Sequence, residues 1–253
     1  MTVLLKVEHL QRDTDRPRGL PGARPARRLP AVRDVSFEVS AGEIVAIAGE
    51  AGSGKTALAR TLGMLVRPKS GKVIFEGRDL TRLSDGALRP VRRRLQFVFS
   101  DPRTALNPQS LVRDVMLEPL RVQGLGNAQQ QLVAVDQALR LVGLHSLLME
   151  RRLTSLSAGQ RQHVALARVL SLRPVLIICD NPTSTLPPGA GEAFFRLMAQ
   201  LRHNEGIAFL WLVSQPQIAA QYADRLGILQ EGRLATLDRV ERALAQWPAQ
   251  LTA

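Results

Sequence analysis

The order of apolar runs and amphipathic segments predicts an α/β fold: a mainly parallel core sheet, an antiparallel β ribbon at its start and a helical subdomain inserted in the middle. The stretches "GEIVAIAG", "PVLIICD" and "IAFLWLV" are almost continuously apolar, as strands buried on both faces require. Between and around them, "KTALARTLGMLV" and "GEAFFRLMAQLRHNEG" place apolar residues at helical spacing. Residues 110–148 read as mostly helical, with Leu132, Val135, Leu139 and Val142 on one face.

The elements follow in order. "TVLLKVEHL" and "AVRDVSFEV" alternate apolar and polar residues, as an antiparallel ribbon with one exposed face does. A basic loop at about residues 11–32 joins them; rich in Arg, Pro and Gly and poor in large apolar residues, it is expected to be mobile. "GEIVAIAG" then runs into a glycine loop and a helix. "KVIFEGRDL" and "RRLQFVFS" supply further strands, and "RLGILQ" the last one. The expected division is one domain with three parts: ribbon and loop core over residues 1–108, helical subdomain over 109–172, and core sheet with a C-terminal helix over 173–253.

With 253 residues, 45% of them hydrophobic, the chain fills a real core. Cys179 is the single cysteine and sits inside an apolar run, so packing is expected of it, and a reducing compartment fits. No run approaches the roughly 18 apolar residues that a membrane span needs, and the N-terminus does not read as a secretory signal. The excess of 34 Lys and Arg over 22 Asp and Glu gives a charge of +12. Much of it lies in the basic loop and in Arg92, Arg93 and Arg94, which reads first as solvated charge and second as contact with anionic lipid or nucleic acid.

The segment "GEAGSGKT" comprises Gly49, Glu50, Ala51, Gly52, Ser53, Gly54, Lys55 and Thr56 and follows a buried strand and precedes a helix. That is the setting in which G-x-x-x-x-G-K-[ST] cradles phosphates. Gly52 and Gly54 let the backbone turn its N–H groups inward, the helix start adds positive potential, Lys55 reaches the outer phosphates, and the Thr56 hydroxyl suits Mg²⁺. A second motif, "LSAGQRQHVALARVL", puts Ser157, Ala158, Gly159 and Gln160 at a helix start, where exposed N–H groups make another anion-binding surface. An N-capped amphipathic helix with Ser157 as cap is the plainer account of the same residues. A buried strand ending in Asp180 follows.

Together these stretches resemble the ATP-binding cassette superfamily along nearly the whole chain. The similarity is greatest to ATPase subunits of oligopeptide, dipeptide and nickel importers, on "FVFSDPRTALNP" and the preceding "GRDLTRLSDGALRPVRRRLQ". The resemblance implies ATP and Mg²⁺ as ligands, with Asp180 beside Thr56 as a metal-organising residue. It also implies head-to-tail pairing with a second cassette, in which the residues from Ser157 to Gln160 cover the partner's ATP. Membrane permease subunits, and through them a solute-binding protein, are the implied partners, with the chain peripheral on the cytoplasmic face.

Several positions depart from that pattern. Asn181 stands where the family has a glutamate that deprotonates the attacking water, Ser100 where it has the glutamine of the Q-loop, and Ser214 where it has the switch histidine. Pro187 replaces an aspartate and is expected to open the next helix; where the resemblance puts an adenine-stacking aromatic, near Thr14, the chain has no Phe, Tyr or Trp before Phe37, and an arginine of the basic loop is expected to stack instead. The expectation is therefore a MgATP site with little hydrolysis, paired with a different, catalytically complete cassette. A soluble cassette acting on nucleic acid or in an accessory complex, and a non-hydrolysing ATP-binding regulator, are the alternatives. Specific nucleic-acid binding is not expected, because long coiled-coil insertions and zinc motifs are both missing from the sequence.

Overall fold

A computed structural model describes residues 2–13, 30–101, 106–187, 189–245 and 247. The chain forms two compact units, one made of Met1–Ser40, Val45–Leu83 and Leu212–Ala253, the other of Ala41–Ile44 and Ser84–Trp211.

In the first unit, strands β1 (Val3–Asp13) and β2 (Pro30–Ser40) form the expected antiparallel ribbon, and β1 pairs on its other edge with β4 (Ser70–Phe75), which pairs with β5 (Arg78–Asp79). Both long strands outrun the sequence pattern. Arg12 pairs with Val32 and Asp13 with Pro30, so residues 11–13 and 30–32 are strand rather than basic loop. Asp13 is further tied to Lys69 by a 3.2 Å ion pair. The rest of the expected loop, residues 14–29, including Thr14, lies outside the described residues. Strand β3 (Ile44–Ala48) is wholly buried and runs parallel to β9 (Arg225–Gln230), whose far edge is the antiparallel β10 (Arg233–Arg239). Helix α1 (Lys55–Leu62) buries Leu58, Ala59 and Leu62.

The second unit opens with α2 (Asp85–Arg94), a helix missing from the sequence expectation because Gly86 and Pro90 interrupt its pattern. Ser84 caps it through a bond to the Ala87 N–H, and three arginines end it, both favourable for a helix dipole. Strands β6 (Leu95–Val98) and β7 (Leu176–Asp180) pair in parallel, and β8 (Ala208–Val213) adjoins β7. Helices α3 (Val112–Gln123), α4 (Ala128–Leu141) and α5 (Ala158–Leu170) make the helical part. On α4, Val135 and Leu139 are buried, but Leu132 is 37% exposed, so the apolar face turns outward at its N-terminal end. Helix α6 (Ala190–Glu205) packs Phe194, Phe195, Met198 and Leu201 inward. The first unit closes with α7 (Pro216–Ala219) and α8 (Val240–Ala245). Among the described residues no helix is long and apolar enough to cross a membrane.

Cys179 is fully buried with its Sγ 3.8 Å from Met198 Sδ, and burial pushes its thiol pKa far up, so it packs and does not react. His163 on α5 lies between the Val142 carbonyl, 2.9 Å from Nδ1, and the Phe194 ring, 5.5 Å between centroids. Burial lowers its pKa from the usual 6.5, against the opposing pull of the Val142 hydrogen bond. Between the lowered value and 6.5, the unfolded chain holds more protons than the folded one. The stability tied to neutral His163 is thus complete above the unfolded value and is lost as pH falls through the folded one. His163→Gln is expected to lose less stability than the unsubstituted chain between about pH 7.5 and about pH 5.5, as urea unfolding at the two pH values would show; a steeper loss in the variant would contradict the buried neutral imidazole.

The glycine loop between β3 and α1 gives a second test. Gly54 has φ 108°, and a Cβ there would fall 2.2 Å from the Ala31 carbonyl oxygen. Gly52 also has a left-handed φ, 82°, but faces nothing within 4 Å. Gly54→Ala should therefore destabilise by about 2 kcal/mol or more, and by clearly more than Gly52→Ala, where only backbone strain acts. Equal losses for the two in urea unfolding would remove the Ala31 contact as the reason.

Candidate nucleotide site

The phosphate loop is held by its carbonyl groups. Gly49 O and Glu50 O accept hydrogen bonds from the Lys55 ammonium, the second at 2.8 Å, and Glu50 O also accepts from Ser53 N–H at 3.1 Å. Ser53 O accepts from Gly232 N–H at 2.8 Å, and Gly232 O in turn accepts from Arg33 N–H at 2.7 Å. Gly49 N–H donates to Val213 O at 3.0 Å, anchoring the loop to the end of β8. The turn between β9 and β10 and the start of β2 thus hold the loop from its back.

On the front, α1 starts at Lys55 with left-handed Gly54 as its cap residue, without a side-chain cap bond and without an acidic residue in the first turn. No side-chain cap closes this helix start, and the helix dipole favours an anion there. Lys55 is only 5% exposed. Its ammonium donates to carbonyls of the loop, and a phosphate adds a full opposite charge at the same place. Ser53 is buried as well, while Glu50, Ala51, Gly52 and Thr56 are exposed. A cleft of ≈ 660 Å³ adjoins the loop, lined by Glu50, Gly52 and Ser53 on one side and by Arg33, Gln230 and Arg233 on the other. Ser214, exposed, follows β8 directly, and Gln215 and Pro216 then start α7.

The remaining candidate residues belong to the second unit. Asp180 ends β7 and is 4% exposed, a carboxylate carried to the strand's C-terminal tip. Asn181 next to it has φ 46°, the left-handed region that asparagine tolerates better than most residues. Its carbonyl starts a tight turn by accepting from Ser184 N–H at 3.2 Å. Pro187 does not open the following helix as expected: α6 begins at Ala190 behind the left-handed cap Gly189, and Pro187 offers its carbonyl to the Ala190 N–H at 3.1 Å. Ser100, half-buried, lies just beyond β6, and its carbonyl accepts a 3.4 Å hydrogen bond from the Thr185 hydroxyl. Sequence reasoning passed over Thr185. The signal available was a hydroxyl at the second position of "STLP", two residues before Pro187. The neighbouring residues 102–105 and Pro188 lie outside the described residues.

Ser157 caps α5 in a reciprocal box, its Oγ accepting from Gln160 N–H at 3.1 Å and its N–H donating to Gln160 Oε1 at 3.0 Å. The cap does not consume the surface: the N–H groups of Ala158 and Gly159 precede the first intrahelical bond, and Ser157 itself is exposed. The observed cap is therefore compatible with an anion at the same helix start. Of the residues the sequence singles out for a metal, Thr56 is an exposed hydroxyl of the first unit and Asp180 a buried carboxylate of the second. Among the described residues no group of three or more His, Cys, Asp or Glu is placed to hold an ion. Hydroxyl and carboxylate oxygens are donor types that Mg²⁺ takes, an ion that keeps several waters and draws its other oxygens from phosphates.

Comparison with known proteins identifies the family and the fold. The sequence model of the ABC transporter family matches residues 32–184. The putative oligopeptide transport ATP-binding protein YkfD of Bacillus subtilis is 34% identical over 232 residues, which is 91% of this chain and 68% of that protein. The probable peptide ABC transporter ATP-binding protein y4tS of Sinorhizobium fredii is 38% identical over 82% of this chain and 59% of its own length. Among solved structures, cbiO1 of Clostridium perfringens, part of the ABC transporter complex cbiONQ, superimposes with a TM-score of 0.82 at 25% identity, covering 97% of this chain and 92% of that one. The cassette MJ0796, solved as a dimer with ADP and phosphate, shares the fold with a TM-score of 0.81 at 24% identity over 94% of this chain and 99% of that one. The chain belongs to the ABC transporter family and carries its ATP-binding cassette.

Proposed function

We propose that this chain is the ATP-binding subunit of a peptide importer, that it binds MgATP on residues 49–56, and that its own site hydrolyses slowly. The peptide assignment follows the peptide-transport relatives, YkfD and y4tS among them. Nickel chelates and other small solutes are the wider class inherited from the sequence resemblance. Lys55 and the loop N–H groups hold the phosphates, and Mg²⁺, when bound, neutralises phosphate charge with Thr56 and Asp180 as its protein donors.

One observation carries the slow-hydrolysis part: Asn181, next to buried Asp180, is an amide. An amide orients water but does not take its proton, and loss of a general base costs roughly 10²–10⁴ in rate. Ser100 and Ser214 point the same way, since neither side chain reaches or titrates as glutamine and histidine do. Ser157, Ala158, Gly159 and Gln160, in contrast, keep the anion-binding helix start that would serve a partner's nucleotide. The working unit is thus a pair with a different, catalytically complete cassette, mounted on membrane permease subunits at the cytoplasmic face and fed by a solute-binding protein.

Lys55→Ala is expected to weaken binding of a fluorescent ATP analogue by roughly thirtyfold, the worth of a charge-assisted contact of about 2 kcal/mol. Turnover of the isolated chain should sit at least about 10²-fold below that of a complete transport ATPase, and the triple change Ser100→Gln, Asn181→Glu, Ser214→His should raise it. In the assembled pair, Ser157→Arg should abolish turnover. Brisk hydrolysis by the isolated chain, or a complex indifferent to Ser157→Arg but silenced by Lys55→Ala, would overturn the division of labour. Salt-sensitive binding to DNA or RNA without any membrane partner would favour the nucleic-acid alternative.

A further inference from the structure

The second unit brings two arginines to one hollow and pairs neither. Arg93 stands in the last turn of α2 and Arg173 in the turn between α5 and β7. The strands that follow them, β6 and β7, run parallel, and the Val175 N–H donates to the Arg94 carbonyl at 2.9 Å, so both arginines sit at the same end of the sheet. Both line a cavity of ≈ 440 Å³ that no described Asp or Glu borders. Through Gln137 and Arg173 it opens into a larger one of ≈ 760 Å³, where Glu205 is the one carboxylate in the described lining. Neither guanidinium has an ion pair or a hydrogen bond among the described residues, whereas Arg92, Arg140 and Arg168 are paired with Asp85, Asp136 and Glu118. The dipole of α2 favours an arginine at its C-terminal end but gives no reason for a second at Arg173, whose φ of 54° is left-handed and strained for a long side chain.

The rest of the lining adds donors. Gln129 and Gln137 on α4 carry side-chain amides that bond to nothing among the described residues. The first turn of α4 borders the cavity, and its dipole adds positive potential. Leu125 and the exposed Val133 give one apolar side.

We propose that this cavity binds a phosphate group, as a phosphomonoester dianion, between Arg93 and Arg173. Two unpaired guanidiniums repel one another, and a dianion satisfies both. A carboxylate has two oxygens, which a single guanidinium takes in a bidentate pair. A phosphomonoester has three terminal oxygens and a second charge, enough for both arginines with an oxygen left for Gln129 or Gln137. Leu125 and Val133 suit the carbon part of the ester. A soluble ester and the headgroup of phosphatidic acid offer this same chemistry. The site lies wholly in the second unit and stands whether or not residues 49–56 bind MgATP. An anion held here clamps the starts of the two strands that lead to Ser100 and Asp180.

The full chain carrying Lys55→Ala, which weakens the phosphate loop, is titrated by calorimetry with glycerol 3-phosphate and with inorganic phosphate at constant ionic strength. One saturable site of roughly millimolar affinity or tighter is expected. Arg93→Gln and Arg173→Gln should each weaken it at least about tenfold. The pair Arg93→Lys with Arg173→Lys, which keeps the charge but loses the fork, should cost less than the corresponding glutamine pair. Arg140→Gln, which removes an arginine already paired, should leave binding unchanged. Unchanged melting temperatures without ligand establish that the variants are folded. The same arginine dependence on vesicles containing phosphatidic acid, with no response to glycerol 3-phosphate, assigns the phosphate to a lipid headgroup; the reverse assigns it to a soluble ester. Absence of binding in every arm, or binding indifferent to both arginines, would overturn the inference. So would a glutamate-rich peptide held by the same arginines and not displaced by phosphate.

Discussion

Everything at the nucleotide site depends on the phosphate loop keeping its carbonyls turned away from the ligand. A loop of eight residues has as many C=O as N–H groups, and it attracts an anion only if the former are engaged elsewhere. Here Lys55 occupies Gly49 O and Glu50 O, and the Gly232 N–H occupies Ser53 O. The first of these is internal to the motif; the second is supplied by a turn almost 180 residues later in the chain. The motif alone therefore does not make the cradle. The β9–β10 turn and the Ala31 carbonyl pressed against Gly54 complete it, which makes the antiparallel ribbon part of the binding apparatus rather than an appendage.

The same dependence governs which parts of the molecule were legible from residue order. Buried strands announced themselves, because "VAIA", "LIIC" and "FLWL" leave no polar residue to face water. The phosphate loop and the α5 cap were equally plain, each resting on local residues whose chemistry has one good use. Helix α2 was not, since Gly86 and Pro90 hide it and its support is a cap and a dipole instead of an apolar stripe. The ends of β1 and β2 were hidden for a related reason: Arg12 and Asp13 read as loop by composition, and only pairing with Val32 and Pro30 makes them strand. Pro187 misled in the opposite direction. A proline before a helix is favoured at its first position, yet the left-handed Gly189 sets the start three residues later than Pro187.

At the positions the sequence resemblance assigns to hydrolysis the limit was of another kind. The identities of Asn181, Ser100 and Ser214 are plain in the sequence, whereas their consequence is chemical and does not register in the fold. Asp180 remains buried at the strand tip, and the turn after it closes through Asn181 O and Ser184 N–H, a backbone bond indifferent to the side chain. The Thr185 hydroxyl on the Ser100 carbonyl likewise joins two loops through a main-chain oxygen, a contact that makes no demand on the residue at position 100. The backbone contacts at positions 100 and 181 therefore hold whichever side chain stands there.

The left-handed backbone at Asn181 explains why an amide is at ease there. In that region a short side chain able to hydrogen-bond locally is favoured, and asparagine is the residue most often found apart from glycine. Restoring glutamate would set a longer side chain on the same backbone, with more rotamer entropy to lose and less local hydrogen bonding to gain. On that backbone, local conformational energy favours asparagine over glutamate. The binding loop faces no such trade, because Gly52, Gly54 and Lys55 are each required by the backbone or by charge compensation. The phosphate loop and the turn after β7 are thus constrained differently in one chain: the first by geometry that admits few residues, the second by a backbone that sets φ at position 181 and leaves much of the side-chain chemistry open.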